Sequence, residues 1–96
     1  MDNLQWLEKW YFSKCDGDWE HFNGIHITTL DNPGWKIVIN LSDTGLENKN
    51  FENMKIENNE NDWIHCSKEN MFFKGACGPL NLNELLNIFR TWVDKI

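Results

Sequence analysis

Basic residues are scarce in this chain: nine Lys and Arg stand against 15 Asp and Glu, for a formal charge of −6. That balance argues against direct nucleic-acid binding, which depends on Lys and Arg neutralising phosphates. It argues equally against an anionic membrane surface. No apolar run approaches the ~18 residues that a membrane span needs. The opening Met1-Asp2-Asn3 lacks the basic-then-apolar order of a secretion signal. Cysteine is limited to Cys15, Cys66 and Cys77, without a C-x-x-C pair. That speaks against a structural zinc site and a thioredoxin-like motif, and an odd count fits a reducing cytoplasm. There are no internal repeats, low-complexity tracts or linkers. No Gly-rich phosphate loop, Ser/His/Asp motif or glycosidase-type carboxylate pair stands out.

Aromatics, by contrast, are abundant, with six Trp and six Phe among 96 residues. A chain of this length suits one domain, taken as residues 1–96, and buries roughly 60–65% of its unfolded surface. Trp serves both cores and interface hot spots, so its abundance points to either. The acidic surplus suits a basic protein partner, because complementary potentials steer encounter. It suits plain solubility equally.

Residues 3–14 read as a helix. Leu4, Leu7 and Tyr11 keep helical spacing, Trp6 and Trp10 widen the stripe, and Asp2 with Gln5 forms a capping box. Gly17 then offers the left-handed backbone that ends helices. Residues 24–30 and 35–41 alternate like strands, and Asn32-Pro33-Gly34 between them suits a type II turn. The polar stretch 42–50 is a loop. Phe51, Met54 and Ile56 mark a third strand within 51–58, starting as late as residue 53. Residues 62–68 and 71–76 make a fourth and a fifth, joined through Glu69-Asn70. Asn81 then caps a helix with Glu84 at its third position. Leu82, Leu85, Leu86, Phe89, Val93 and Ile96 form its stripe, with Trp92 at the edge. The expected fold is α+β: a five-stranded antiparallel meander flanked by an N-terminal and a C-terminal helix on one face.

Chemistry concentrates in Cys15-Asp16-Gly17-Asp18-Trp19-Glu20-His21. Metal binding lacks support, because no second His–carboxylate cluster is spaced to complete a site. A Cys-dependent sulfur-transfer or redox enzyme would use a thiolate. Asp16 and Asp18 oppose one at Cys15 by repulsion, and Cys66 points away from its neighbour His65. The segment fits better as an acidic loop that pairs with Lys and Arg of a partner, or imitates phosphate to a nuclease site. Trp19 is then either an exposed contact or an inward-packed indole. Trp63 and His65 share one face of the fourth strand and form a second candidate patch. No catalytic residue, metal ligand or cofactor is assigned. An unpaired edge strand would support a homodimer.

The runs Trp6-Leu7-x-x-Trp10-Tyr11-x-x-x-Cys15-Asp16-Gly17-Asp18-Trp19-Glu20-His21-x-x-Gly24-Ile25 and Thr29-Leu30-Asp31-Asn32-Pro33-Gly34-Trp35 resemble immunity protein family fifty-three. So do Asp62-Trp63-Ile64-His65-Cys66, Gly78-Pro79 and the helix with Phe89 and Trp92. The resemblance spans roughly residues 4–93, with 42–60 variable. It implies a cytoplasmic, non-enzymatic inhibitor in a bacterial polymorphic toxin system, made beside its toxin and binding it tightly. Some relatives carry a sulfurtransferase-type name. A rhodanese-like enzyme needs a parallel α/β domain, which this strand pattern does not offer. The resemblance and the acidic segment together expect toxin contact through Asp16, Asp18, Trp19, Glu20 and His21, with Trp63 and His65 as a secondary patch.

Overall fold

The computed structural model describes residues 1–96. The elements follow in the order α1 (Asn3–Lys14), α2 (Trp19–Phe22), β1 (Ile25–Leu30), β2 (Gly34–Asn40), β3 (Met54–Asn59), β4 (Asp62–Glu69), β5 (Phe72–Cys77) and α3 (Leu82–Asp94). The fold is α+β, with five antiparallel strands between an N-terminal and a C-terminal helix. The short α2 lies where the sequence suggested a loop.

The start of α1 follows its sequence signal. Asp2 accepts the Gln5 amide at 2.7 Å, and the Gln5 side chain accepts the Asp2 amide at 3.3 Å. Two orphan amides of the first turn are thereby satisfied. Asn81 departs from its expected role. It makes no side-chain cap on α3. Buried, it accepts the Trp63 amide at 3.3 Å and donates to Asp62 and Glu84 at 3.0 Å each, tying α3 to β4.

Strand order corrects the strict meander. The sheet runs β1-β2-β5-β4-β3, so β5 rather than β3 lies beside β2. The polar stretch after β2 therefore carries the chain over three strand spacings, roughly 14 Å, to the far edge. Its apolar residues make that crossing stable. Leu41 and Leu46 are buried in the core. Phe51 meets Phe73 and Trp92 edge-on, at 5.2 and 5.5 Å between ring centroids. Lys68 donates to the carbonyls of Glu47 and Lys49, and Lys49 donates to those of Trp92 and Val93 and to that of Lys95. The reward is a central strand that hides Phe73 and Cys77 completely.

The core lies between the inner sheet face and the pair α1/α3. Phe89 is its hub, within 5.0–6.1 Å of Phe73, Trp10, Trp6 and Trp92. Such aromatic pairs contribute about 0.5–1.5 kcal/mol each beyond their buried area. Trp92 thus belongs to the core rather than to its edge. On α1 the buried residues are Leu7 and Trp10, whereas Leu4 and Tyr11 are left exposed. Lys36, Val38, Lys74 and Ala76 alternate to the outer sheet face, over which no helix lies.

Candidate functional site

The acidic segment is a self-capped turn. Asp16 Oδ1 accepts the amides of Asp18 and Trp19, both at 2.9 Å. Glu20 reaches back to accept the Asp16 amide at 3.0 Å and the Gly17 amide at 2.9 Å. Gly17, at φ +96°, supplies the left-handed residue between them. Two of the three carboxylates thus satisfy the four amides from Asp16 to Trp19 that lead into α2, which explains why acids crowd here. Asp18 makes no such cap.

Trp19 is a correction to the exposed-contact expectation. It is only 3% exposed. Its ring meets Trp10 edge-on at 6.3 Å and Tyr11 at 5.8 Å, and its Nε1 donates to the Ser42 carbonyl at 2.8 Å. In this fold the indole pins the turn to α1 and to the end of β2 and has no free face for a partner. Asp16, Asp18 and His21 remain exposed, Glu20 is half-exposed, and Phe22 projects almost fully.

The amides of Trp19 and then Asp18 hold the Asp16 carboxyl below its usual range. Glu20 is lowered by its own amide first and then by those of Asp16 and Gly17. A carboxyl with a lower pKa in the folded chain binds fewer protons there than when unfolded. Its stabilising contribution is complete above the unfolded value and is lost as pH falls through the folded one. The turn is therefore expected to loosen as pH drops below the ordinary carboxylate range. Trp fluorescence followed from about pH 7 to pH 3 checks this. An Asp16→Asn variant should show less of the change, and an identical profile in both would refute the capping role.

Trp63 and His65 sit together on the outer sheet face, with ring centroids 5.1 Å apart. His65 Nε2 lies 2.9 Å from Glu57 Oε1. That hydrogen bond, and next the Lys55 charge, lowers the Glu57 pKa. The acidic turn instead packs against α1, on the helix side of the sheet. The structure does not join the two patches.

The thiols do not assemble a reactive site. Cys66 and Cys77 are buried. Burial pushes Cys66 up to about 12 and Cys77 upward as well. Cys15 is half-buried, its Sγ 3.3 Å from the Tyr11 carbonyl. A thiol reagent at about pH 8 should modify at most Cys15 rapidly in the folded chain, and all three cysteines after denaturation. Rapid modification of Cys66 or Cys77 in the folded chain would contradict the packing. No group of three His, Cys, Asp or Glu residues is placed to hold a metal ion. No helix is long and apolar enough to cross a membrane.

With this geometry in place, comparison with known families is decisive. The family model described as Immunity protein 53 matches residues 4–94. The chain belongs to that family. The match runs through the acidic turn, every strand and all of α3. No curated protein and no solved structure matches the chain. Membership of an immunity family implies a toxin as the binding partner.

The stripe of α1 was legible, but not the strand that its outer flank lies against. The apolar arc of α1 runs from Trp6 through Trp10, Leu7 and Tyr11 to Leu4, at about 100° per residue. That is wider than one core contact uses, and its far side emerges beside β1.

Proposed function

We propose that this chain neutralises a cognate bacterial toxin in the cytoplasm of the producing cell by stoichiometric binding. The observation that carries this reading is the family match over residues 4–94. The net charge of −6 suits a basic partner, and a phosphate-binding nuclease site fits that description. In this reading Asp16, Asp18 and Glu20 present negative charge, with the His21 imidazole beside them, on a turn stiffened from within by Trp19. A rigid, preorganised turn gives up little entropy on docking. Its mechanism is occlusion: the turn covers the toxin's active site or a neighbouring exosite. Trp63 and His65 remain a separate, secondary patch in the proposal.

The protein encoded by the adjacent gene supplies the test. Its expression is expected to stop growth, and co-expression of this chain to restore it. Asp16 and Glu20 are unsuitable probes because their loss unravels the turn. Asp18 carries no cap, so Asp18→Lys should preserve stability and weaken the complex at least tenfold, about 1.4 kcal/mol. Unchanged affinity of Asp18→Lys would remove the turn from the interface. Failure of the wild-type chain to protect would remove the function.

A further inference from the structure

Both edge strands of the sheet have an unpaired side, but only one edge is defended. Strand β3 carries Lys55 and Glu57, and its register shifts between Glu57 and Asn59. Edge charges and bulges of this kind discourage pairing with another chain. Strand β1 reads Ile-His-Ile-Thr-Thr-Leu, without Lys, Asp, Glu or Pro. All six of its pairs with β2 keep one register. It therefore offers a regular, undefended edge.

Its free hydrogen-bonding groups can be assigned. The Asn40 amide donates to the Gly24 carbonyl at 3.0 Å, which makes Gly24 and Asn40 a hydrogen-bonded pair. Alternation along an antiparallel ladder then turns His26, Thr28 and Leu30 toward β2. Ile25, Ile27 and Thr29 direct their amides and carbonyls outward. Their side chains face the helix layer, yet Ile27, on this edge strand, stays 38% exposed.

Between α1 and β1 lies a groove of about 350 Å³, lined by Leu7, Tyr11 and Ile25, by the polar Asn23 and His26, and by one acidic residue, Glu8. Leu4, at 57% exposure, and Tyr11, at 37%, extend the apolar surface along α1. Phe22, at 83%, is exposed just before the Asn23–Ile25 segment that lines the groove. A larger groove of about 880 Å³ lies between α3 and the β3 side, but the defended edge bounds it.

We propose that an extended segment of the toxin joins the sheet as a sixth strand along β1. Its alternate apolar side chains fill the α1–β1 groove, and a Lys or Arg meets Glu8. Backbone pairing supplies affinity in this mode, and the pockets for alternate side chains supply specificity. Charge selects this occupant over a second copy of the chain. Two copies paired through β1 would bring Glu8 of each into one interface, and each copy carries −6. A cationic segment is attracted both by Glu8 and by the acidic turn at the groove's end. This inference rests on the toxin-binding reading and specifies how the surface works.

Residue-resolved amide exchange, with and without the purified product of the adjacent gene, tests it. The complex is expected to slow exchange at Ile25, Ile27 and Thr29 at least tenfold and to leave His26, Thr28 and Leu30 nearly unchanged. Thr29→Pro deletes an outward donor at an edge position where proline is tolerated. It should weaken the complex tenfold or more. Glu8→Lys should do so without touching the backbone, and covers the case in which Thr29→Pro disturbs folding. A complex that forms with no added protection at the three outward amides, and with both variants binding like wild type, overturns the strand proposal while leaving toxin binding intact. Absence of any complex overturns both. Protection of the outward amides in the free chain, together with a doubled mass by light scattering, assigns the edge to a second copy and overturns the proposal.

Discussion

Trp19→Ala is expected to lower the unfolding free energy by about 3–5 kcal/mol, the usual cost of deleting a buried Trp ring. Against a typical total of about 5–15 kcal/mol, that loss lowers the melting temperature by roughly 15–30 °C. The reasons are local. Trp19 fills the space beside Trp10 and Tyr11, and its indole N–H satisfies the Ser42 carbonyl. Without it, the end of β2 loses its clamp and the acidic turn loses its base. Trp19→Phe keeps most of the ring and sacrifices the hydrogen bond, for a smaller cost of about 1 kcal/mol beyond the lost ring volume. Urea unfolding of the three proteins orders them wild type, Phe, Ala. A Trp19→Ala chain with wild-type stability and weakened toxin binding would return Trp19 to the interface and contradict the packing.

Gly34→Ala is the second large effect, expected at about 3 kcal/mol of destabilisation. A Cβ there would sit 2.3 Å from the Cys77 carbonyl oxygen and 3.4 Å from Leu30 Cδ1. The oxygen belongs to the backbone of the central strand, paired with β2 at Trp35, so it cannot swing away. This corrects the type II turn reading of Asn32-Pro33-Gly34. Gly34 has no positive φ and already belongs to β2. Glycine is required for close approach and not for a left-handed backbone. Gly45→Ala is the matching control, with φ +85° and nothing within 4 Å of its Cβ. It should cost only the left-handed penalty of about 1–2 kcal/mol. Equal effects at both positions, measured by urea unfolding, would contradict the close-contact explanation.

Much of the fold was legible because its signals are local. The capping box at Asp2, the alternation of β1 and β2 and the stripe of α3 depend on neighbours within a few residues, and the structure keeps them except at Ile96, which lies beyond the end of α3 and is exposed. Strand order was not legible. Whether β3 or β5 pairs with β2 depends on where the 41–53 segment buries Leu41, Leu46 and Phe51, a long-range choice that alternation does not encode. Asn81 illustrates the same limit: its type and position suit a cap, yet the Trp63 amide captures its side chain.

In the acidic segment the residue types point to chemistry before geometry. The signal for scaffolding was present, since Asp16 and Glu20 lie four apart around a glycine and can cap one short turn from both sides. The density of carboxylates hid it. The sequence leaves Trp19 two roles, and burial selects the inward one. The unused apolar flank of α1 and the charge-free sequence of β1 were visible separately. Their adjacency, which makes them a groove, required the fold.

Titration of the adjacent gene's product with this chain, following toxin activity, tests the account most directly. Activity should fall in a straight line and vanish at one equivalent, with a complex of equal stoichiometry recovered by size-exclusion chromatography. Loss of toxin activity at a small fraction of an equivalent, or full activity at an excess, would contradict inhibition by binding.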